Sequence, residues 1–241
     1  MTRSSLRPAL TCLASAAALA ALCAGAAHPA AASTIRVDPI KVEISSDRKI
    51  ASIRLKNEES GPVAIRAYAL AWSQKDGEDR NEETDAIIVS PPVATIAAGA
   101  TQLVRVGVRP GASSRGAYRL IIEEIPQAEK GGGVRVALRL SLPLYVNLAS
   151  GQAQQLGWKL FQRADGAWVA EATNATDRYI RAEVADVAAA TGISPSAVPG
   201  FGVVLPNSRR RWLVGPKPAI ADRARYEAAV RGTNSGASPP R

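Results

Sequence analysis

The stretch VRVALRLSLPLYV, residues 134–146, indicates the fold class of this chain more clearly than any other. Every second residue is valine or leucine, and arginine, alanine, serine, proline or tyrosine stands between them. This period of two is typical of a β-strand with one face out of water. The apolar face consists of Val134, Val136, Leu138, Leu140, Leu142 and Leu144. The pattern leaves open whether this protein buries the whole of that face itself.

Similar alternations run from residue 35 to residue 146 and are broken by turns. Gly61-Pro62, Gly99 and Pro110-Gly111 stand where the chain must reverse, as in an antiparallel β-sandwich. Seven strand candidates result: TIRVDPIKVEI, IASIRLKNEE, VAIRAYALAWSQ, AIIVSPPVATI, TQLVRVGVRP, AYRLIIEEIP and the opening stretch. The first part of the chain is therefore predicted to be one sandwich domain, at residues 33–148.

A small and polar segment, residues 147–155, is interpreted as a domain boundary. After it, GWKLFQRADGAWVAEATN predicts a hairpin that turns at Asp165-Gly166. Further strand candidates are RYIRAEVADV, FGVVLPNSRRRWLV and ARYEAAV, and the glycines and prolines of VADVAAATGISPSAVPG favour a loop. We therefore expect an all-β protein whose second sandwich domain spans residues 149–231, followed by a disordered polar tail at 232–241.

The first 32 residues have the pattern of a secretory signal peptide. Arg3 and Arg7 precede an Ala/Leu-rich apolar run, and the small residues Ala30 and Ala32 predict cleavage near residue 32. A membrane anchor is the alternative, but the run is shorter than the roughly 20 apolar residues that a spanning helix needs. The mature protein is thus expected to be exported.

Catalysis is not expected of the mature chain. Cys12, Cys23 and His28 are the only cysteines and histidine, and all lie in the segment to be removed. Thiol nucleophiles, imidazole bases and the usual zinc ligands are lost with them, so we expect no enzyme, metal or cofactor. The mature chain keeps 28 basic and 21 acidic residues. Because the basic residues are scattered along strands rather than clustered, and export separates the protein from nucleic acid, that partner is not expected.

Four stretches resemble the periplasmic chaperones of chaperone–usher pili. They are SPPVATIAAGATQLVRVGVRP, YRLIIEEIP, VRVALRLSLPLYV and EATNATDRYIRAEV, and they occur in the order typical of that family. The resemblance implies two immunoglobulin-like β-sandwich domains in an L-shaped arrangement, a periplasmic location, and pilin subunits and an outer-membrane usher as partners. LRLSLPLYV with AYRLIIEEIP is more similar to the divergent archaic, or spore-coat-protein-U type, branch.

The resemblance also implies a role for the opening stretch. A pilin subunit of such pili lacks its last strand, and the chaperone lends its own G strand, here residues 134–144, to fill the gap. Val134, Val136 and Leu138 are then the donor residues, with Leu140 extending the set, whereas Leu142 and Leu144 belong to the chaperone's own core. Left bare, such an edge predicts self-association or loop closure in the free protein.

Family members hold the subunit's C-terminal carboxylate with two basic residues, and the resemblance places only one of them. Lys41 takes the position on the first strand, but Pro143 stands at the usual lysine position on the G strand. Arg119, on the neighbouring strand, is therefore our candidate for the second base. Alternatively, Lys41 is an ordinary exposed residue, and Arg119 pairs internally with Glu123 or Glu124.

The alternative function is a secreted immunoglobulin-like structural or adhesive module. Such a module would keep its G strand entirely to itself, and its apolar face would be buried in its own core.

Overall fold

The computed structural model describes residues 35–126, 137–197, 200, 202–215 and 219–234, which belong to one compact unit. The expected signal peptide, two donor residues (Val134 and Val136) and residues 235–241 lie outside these ranges. The described residues form mostly β-strands, as predicted, with two short α-helices. No helix within the described ranges is both long and apolar enough to cross a membrane.

The described residues of the first half form ten strands in two sheets. They are β1 (Ile35–Asp38), β2 (Val42–Ile44), β3 (Ile50–Asn57), β4 (Val63–Lys75), β5 (Glu78–Glu83), β6 (Ile87–Ser90), β7 (Val93–Ile96), β8 (Thr101–Val108), β9 (Gly116–Glu124) and β10 (Arg139–Val146). One sheet has the order β1-β3-β8-β6, and the other has β2-β10-β9-β4-β5 with β7 also paired to β4. The chain thus changes sheets between β1 and β2.

The inner faces of these two sheets form one apolar core. Ile53, Leu55, Val104, Leu120 and Leu144 are fully buried in it. They occupy alternate positions on their strands, because successive side chains of a strand point to opposite faces. The predicted sandwich of this half is therefore present.

Two predicted strands are each divided by a proline. Cis peptide bonds at Asp38-Pro39 and Ser90-Pro91 separate β1 from β2 and β6 from β7. The polar strand β5, with the sequence EDRNEE, was not predicted, because it has no apolar alternation. It forms through its ladder with the end of β4, which pairs Lys75 with Glu78 and Leu70 with Glu83.

The second half is smaller. Its strands are β11 (Gly157–Gln162), β12 (Trp168–Asn174), β13 (Ile180–Ala182), β14 (Gly202–Val204) and β15 (Ser208–Gly215), and its helices are α1 (Val184–Thr191) and α2 (Arg223–Asn234). The sheets have the orders β11-β12-β15 and β13-β14. The predicted hairpin of β11 and β12 is confirmed. Gly166 adopts a φ of 83° in its turn, a left-handed conformation that glycine reaches without steric cost.

Both helices correct the sequence analysis. The segment predicted as a loop contains α1. This helix begins with a capping box formed by Glu183 and Asp186, and it ends at Gly192, whose φ is 71°. The prolines of this segment, Pro195 and Pro199, come after the last residue of α1 in the sequence and therefore do not interrupt it. ARYEAAV, predicted as a strand, lies in α2, where Tyr226 packs on Trp168 at 5.8 Å between ring centroids. This helix extends three residues into the expected tail.

A buried asparagine lies at the end of one strand in each half and donates hydrogen bonds to neighbouring backbone carbonyl groups. Asn57 at the end of β3 donates to the carbonyl groups of Gly61, Ile96 and Ala97 at 2.8, 3.0 and 3.2 Å. Asn174 at the end of β12 donates in the same way to Arg178, Val204 and Leu205 at 2.7, 3.1 and 3.0 Å. Each amide joins a turn to a neighbouring segment, so the two halves share a structural device.

Candidate functional site

The edge of β10 is open along its first part. β9 pairs with all of β10, from Arg139 to Val146, but β2 pairs only with its last three residues, 144–146. The amide of Glu124 donates to the carbonyl of Leu138, so backbone groups at even positions point towards β9. Since these groups alternate, the N–H and C=O of Arg139 and Ser141 point to the other side. No described strand pairs with them there.

Burial changes along the apolar face of β10. Leu142 is 8% exposed and Leu144 is fully buried in the core, which agrees with the roles predicted for them. Leu138 and Leu140 pack against the same core but are only partly buried. The open backbone edge and the partly exposed side chains therefore coincide. Val134 and Val136 lie outside the described residues, so the structure leaves their role a prediction.

Lys41 lies just before β2 and contacts both halves of the chain. Its Nζ lies 3.0 Å from Oε1 of Glu43 and 3.4 Å from the hydroxyl of Tyr179. The Tyr179 hydroxyl donates to the same Glu43 oxygen at 2.8 Å. The side chains of Lys41 and Glu43 are 49% and 51% exposed. Lys41 is thus a half-exposed cation that already holds an internal carboxylate.

The pKa values of this triad reflect those contacts. The hydrogen bond to Glu43 raises the pKa of Lys41 above its ordinary value, against an opposing effect of burial. Burial by itself would raise the pKa of Glu43, but hydrogen bonds from Lys41 and Tyr179 outweigh it and lower the pKa. Both groups are therefore charged at neutral pH.

Arg119 is more enclosed than Lys41. Its side chain is 19% exposed, and its guanidinium carbon lies 3.5 Å from the centroid of the Trp72 ring. Among the described residues its ion pair is with Asp79, at 3.6 Å, rather than with Glu123 or Glu124 as in the alternative interpretation. Burial lowers the pKa of Arg119 from its ordinary value, although Asp79 opposes this effect. Arginine nevertheless stays charged, because a guanidinium group is not deprotonated in proteins.

An aromatic cluster connects the two candidate bases. Tyr145 stacks on Tyr179 with ring centroids 3.7 Å apart and an interplanar angle of 6°, and it lies 6.2 Å from Trp72. Leu205 of the second half completes this buried cluster. Lys41 touches the cluster through Tyr179 and Arg119 touches it through Trp72. The structure therefore brings both predicted bases to one region, where the first and second halves meet.

Sequence reasoning missed the polar residues around this cluster. Gln74 donates to Asp79 and to the carbonyl of Val203 at 2.8 and 2.7 Å, and accepts from the amide of Leu205 at 2.9 Å. Arg210 pairs with Asp79 at 2.9 Å. These contacts join residues up to 131 positions apart, so no local pattern in the sequence could reveal them.

The family model described as pili and flagellar-assembly chaperone, PapD N-terminal domain, matches residues 34–147. This part of the chain belongs to the pilus-assembly chaperone family. The match ends one residue after β10, so the family domain includes the open edge and Lys41 with Glu43. No curated protein matches the sequence at a significant level.

Solved structures of chaperones have a fold similar to that of this chain. A chain of the CsuC–CsuE chaperone–tip adhesion subunit pre-assembly complex, from archaic Csu pili of Acinetobacter baumannii, matches with a TM-score of 0.60 and 22% identity, over 78% of this chain and 96% of that one. A chain of the Salmonella enterica SafA pilin–SafB chaperone complex matches with a TM-score of 0.55 and 12% identity, over 77% of this chain and 86% of that one. The E. coli chaperone DraB matches with a TM-score of 0.51 and 15% identity, over 76% of this chain and 87% of that one. These matches confirm the predicted fold of two immunoglobulin-like domains.

Proposed function

We propose that this protein is a periplasmic chaperone that binds pilin subunits by donor-strand complementation and delivers them to an outer-membrane usher. The lent segment is residues 134–144. Its donor residues are Val134, Val136, Leu138 and Leu140. The membership of residues 34–147 in the chaperone family supports this role.

The observation that carries the proposal is the open edge of β10 ahead of Leu144. Strand addition needs unpaired backbone groups for the ladder and alternating side chains for the partner's pockets. Arg139 and Ser141 offer the first, since β2 stops short of them. Leu138 and Leu140 offer the second, because each is only partly covered by its own core.

The apolar surface of the lent segment is large enough for stable binding. Fully burying a valine or leucine contributes roughly 1.5–3 kcal/mol, so the donor residues together contribute on the order of 5–10 kcal/mol before the costs of association. Proline at position 143 is compatible with β10 being an edge strand, because a residue without an N–H is tolerated there. β10 therefore combines an edge that accepts a partner with an inner end that anchors it in the chaperone.

Lys41 and Arg119 are the bases proposed to hold the subunit's C-terminal carboxylate. Arg119 lies directly opposite Pro143 in the ladder of β9 and β10. Side chains at such paired positions lie about 5 Å apart, so a base stands beside the position where the family usually has its lysine. Lys41 is the more accessible of the two.

Replacing Leu138 by aspartate tests the proposal. A charge on the lent face cannot enter an apolar groove, so co-purification with a co-expressed pilin should be lost while circular dichroism keeps its β-sheet signal. Ser52→Asp, on an exposed position of β3 in the other sheet, is the matched control and should bind normally. Unchanged capture by Leu138→Asp would refute the proposal. If that variant unfolds instead, the strand belongs to a self-contained immunoglobulin-like module.

A further inference from the structure

We propose that Glu43 is an internal competitor for the carboxylate anchor, and that it occupies Lys41 until the C-terminal carboxylate of a subunit displaces it. This inference rests on the proposed function, since it concerns the same site. It assigns the protein a residue that weakens and regulates binding, whereas the anchor residues strengthen it.

The geometry around Glu43 is that of a bound carboxylate. One oxygen, Oε1, receives both Nζ of Lys41 at 3.0 Å and the hydroxyl of Tyr179 at 2.8 Å. A cation and a neutral hydroxyl converging on one oxygen make charge-assisted hydrogen bonds, which any carboxylate could accept. Tyr179 is therefore a further group of the anchor, in addition to the bases Lys41 and Arg119.

The contact is also built to be exchanged. The side chains of Lys41 and Glu43 are about half exposed, so a second carboxylate can approach without unfolding either residue. Tyr179, in contrast, is fixed by its stack on Tyr145 and is 5% exposed. The hydroxyl donor thus stays in place while the two charged side chains are free to move.

The position of Glu43 places the exchange beside the lent strand. Glu43 is the partner of Tyr145 in the short parallel ladder of β2 and β10, one residue after that ladder begins. The open edge of β10 starts immediately ahead of this ladder. A subunit strand added to the open edge therefore runs close to Lys41, where its terminal carboxylate can compete with Glu43.

The test uses the ten-residue C-terminal peptide of the pilin that is co-expressed in the Leu138→Asp assay, synthesised as the free acid and as the amide. Glu43→Gln keeps the shape of the side chain but removes its charge. Calorimetry should show a roughly two- to fivefold gain in affinity for the acid, the range in which half-exposed ion pairs act, and no gain for the amide. Lys41→Met should abolish the preference for the acid. Glu58→Gln, which breaks a similar pair with Arg36, is the control and should change neither affinity.

Equal gains for acid and amide, or no gain for either, would overturn the inference and leave the proposed function standing. If neither peptide binds the unmodified protein, it is the proposed function that fails. A second titration then decides the inference by itself, with acetate and acetamide followed through the NMR signals of the Lys41 side chain. Acetate should shift these signals more in Glu43→Gln than in the unmodified protein, and equal shifts would show that Glu43 does not compete.

Discussion

The proposed division of β10 into a lent part and a retained part makes a quantitative prediction for two leucine-to-alanine substitutions. Leu138→Ala and Leu144→Ala remove the same atoms from the same face of one strand. Leu144 is fully buried, whereas Leu138 is only partly covered by the core. The chemical change is therefore constant and only the surroundings differ.

The two substitutions should affect different free energies. At Leu144 the loss of buried methyl groups, together with the cavity left behind, should lower the free energy of unfolding by about 2–5 kcal/mol. At Leu138 the side chain covers less of the core, so we expect a loss of about 1 kcal/mol or less. Binding should show the reverse order. Leu138→Ala should weaken subunit binding by about 1–2 kcal/mol, which is roughly a five- to thirtyfold increase in Kd.

Urea unfolding and calorimetric titration with a pilin measure the two quantities on the same preparations. The unfolding midpoint gives the stability change where the slope with denaturant is unchanged. Binding by Leu144→Ala is compared at a temperature where this variant remains folded, so that loss of fold is not mistaken for loss of affinity. Under these conditions its Kd should stay within about twofold of the unmodified protein.

One pattern of results would refute the reasoning. If Leu138→Ala destabilises the fold as much as Leu144→Ala and leaves Kd unchanged, the whole apolar face belongs to the protein's own core. The strand would then be that of a structural module, and the open edge of β10 would carry no binding function.

Three further predictions concern residues that the sequence analysis did not single out. Asn57→Ala or Asn174→Ala removes the donor of several buried carbonyl groups, so each should lower the free energy of unfolding by about 1–3 kcal/mol in urea, and a change under about 0.5 kcal/mol would contradict the roles given to them. Gln74→Ala removes three hydrogen bonds, two of them to the second half. It should make the junction more sensitive to limited proteolysis, and an unchanged digestion pattern would show that the aromatic cluster alone secures it. The pKa of Glu43 is lowered on folding, so its stabilising contacts are complete above the unfolded value near pH 4.3 and are lost as pH falls through the folded pKa. Glu43→Gln should flatten that part of the stability–pH curve, which thermal unfolding at a series of pH values measures.

Much of the first half could be predicted from the sequence because its strands alternate strongly. IASIRLKN and TQLVRVGV form β3 and β8 with their apolar residues in the core, as the period of two requires. The prediction failed where pairing rather than composition makes a strand. β5 has no apolar face and exists through its ladder with β4. The prediction also failed at α2, which is mostly polar, because its helical state depends on packing against the rest of the second half.

The candidate site was less predictable, for a different reason. Lys41 and Arg119 were identified by resemblance, but the groups that determine their state are distant in sequence. Tyr179 lies 138 positions from Lys41, and Asp79 reaches Arg119 only because β5 folds back on β4. A pattern within a window of ten or twenty residues contains no information about such contacts.

The alternation of β10 could not separate the residues proposed to be lent from those that the core retains either, because both have the same period. The separation comes from the short segment between β1 and β2. There the chain leaves the sheet of β3, passes Pro39 and joins the sheet of β10 at Val42. Because β2 starts only at this point, no strand among the described residues pairs with β10 on that side ahead of Leu144. The same crossing places Lys41 at the end of the opening, so one change of sheet accounts for both the edge that we propose for a subunit strand and the base that we propose for its carboxylate.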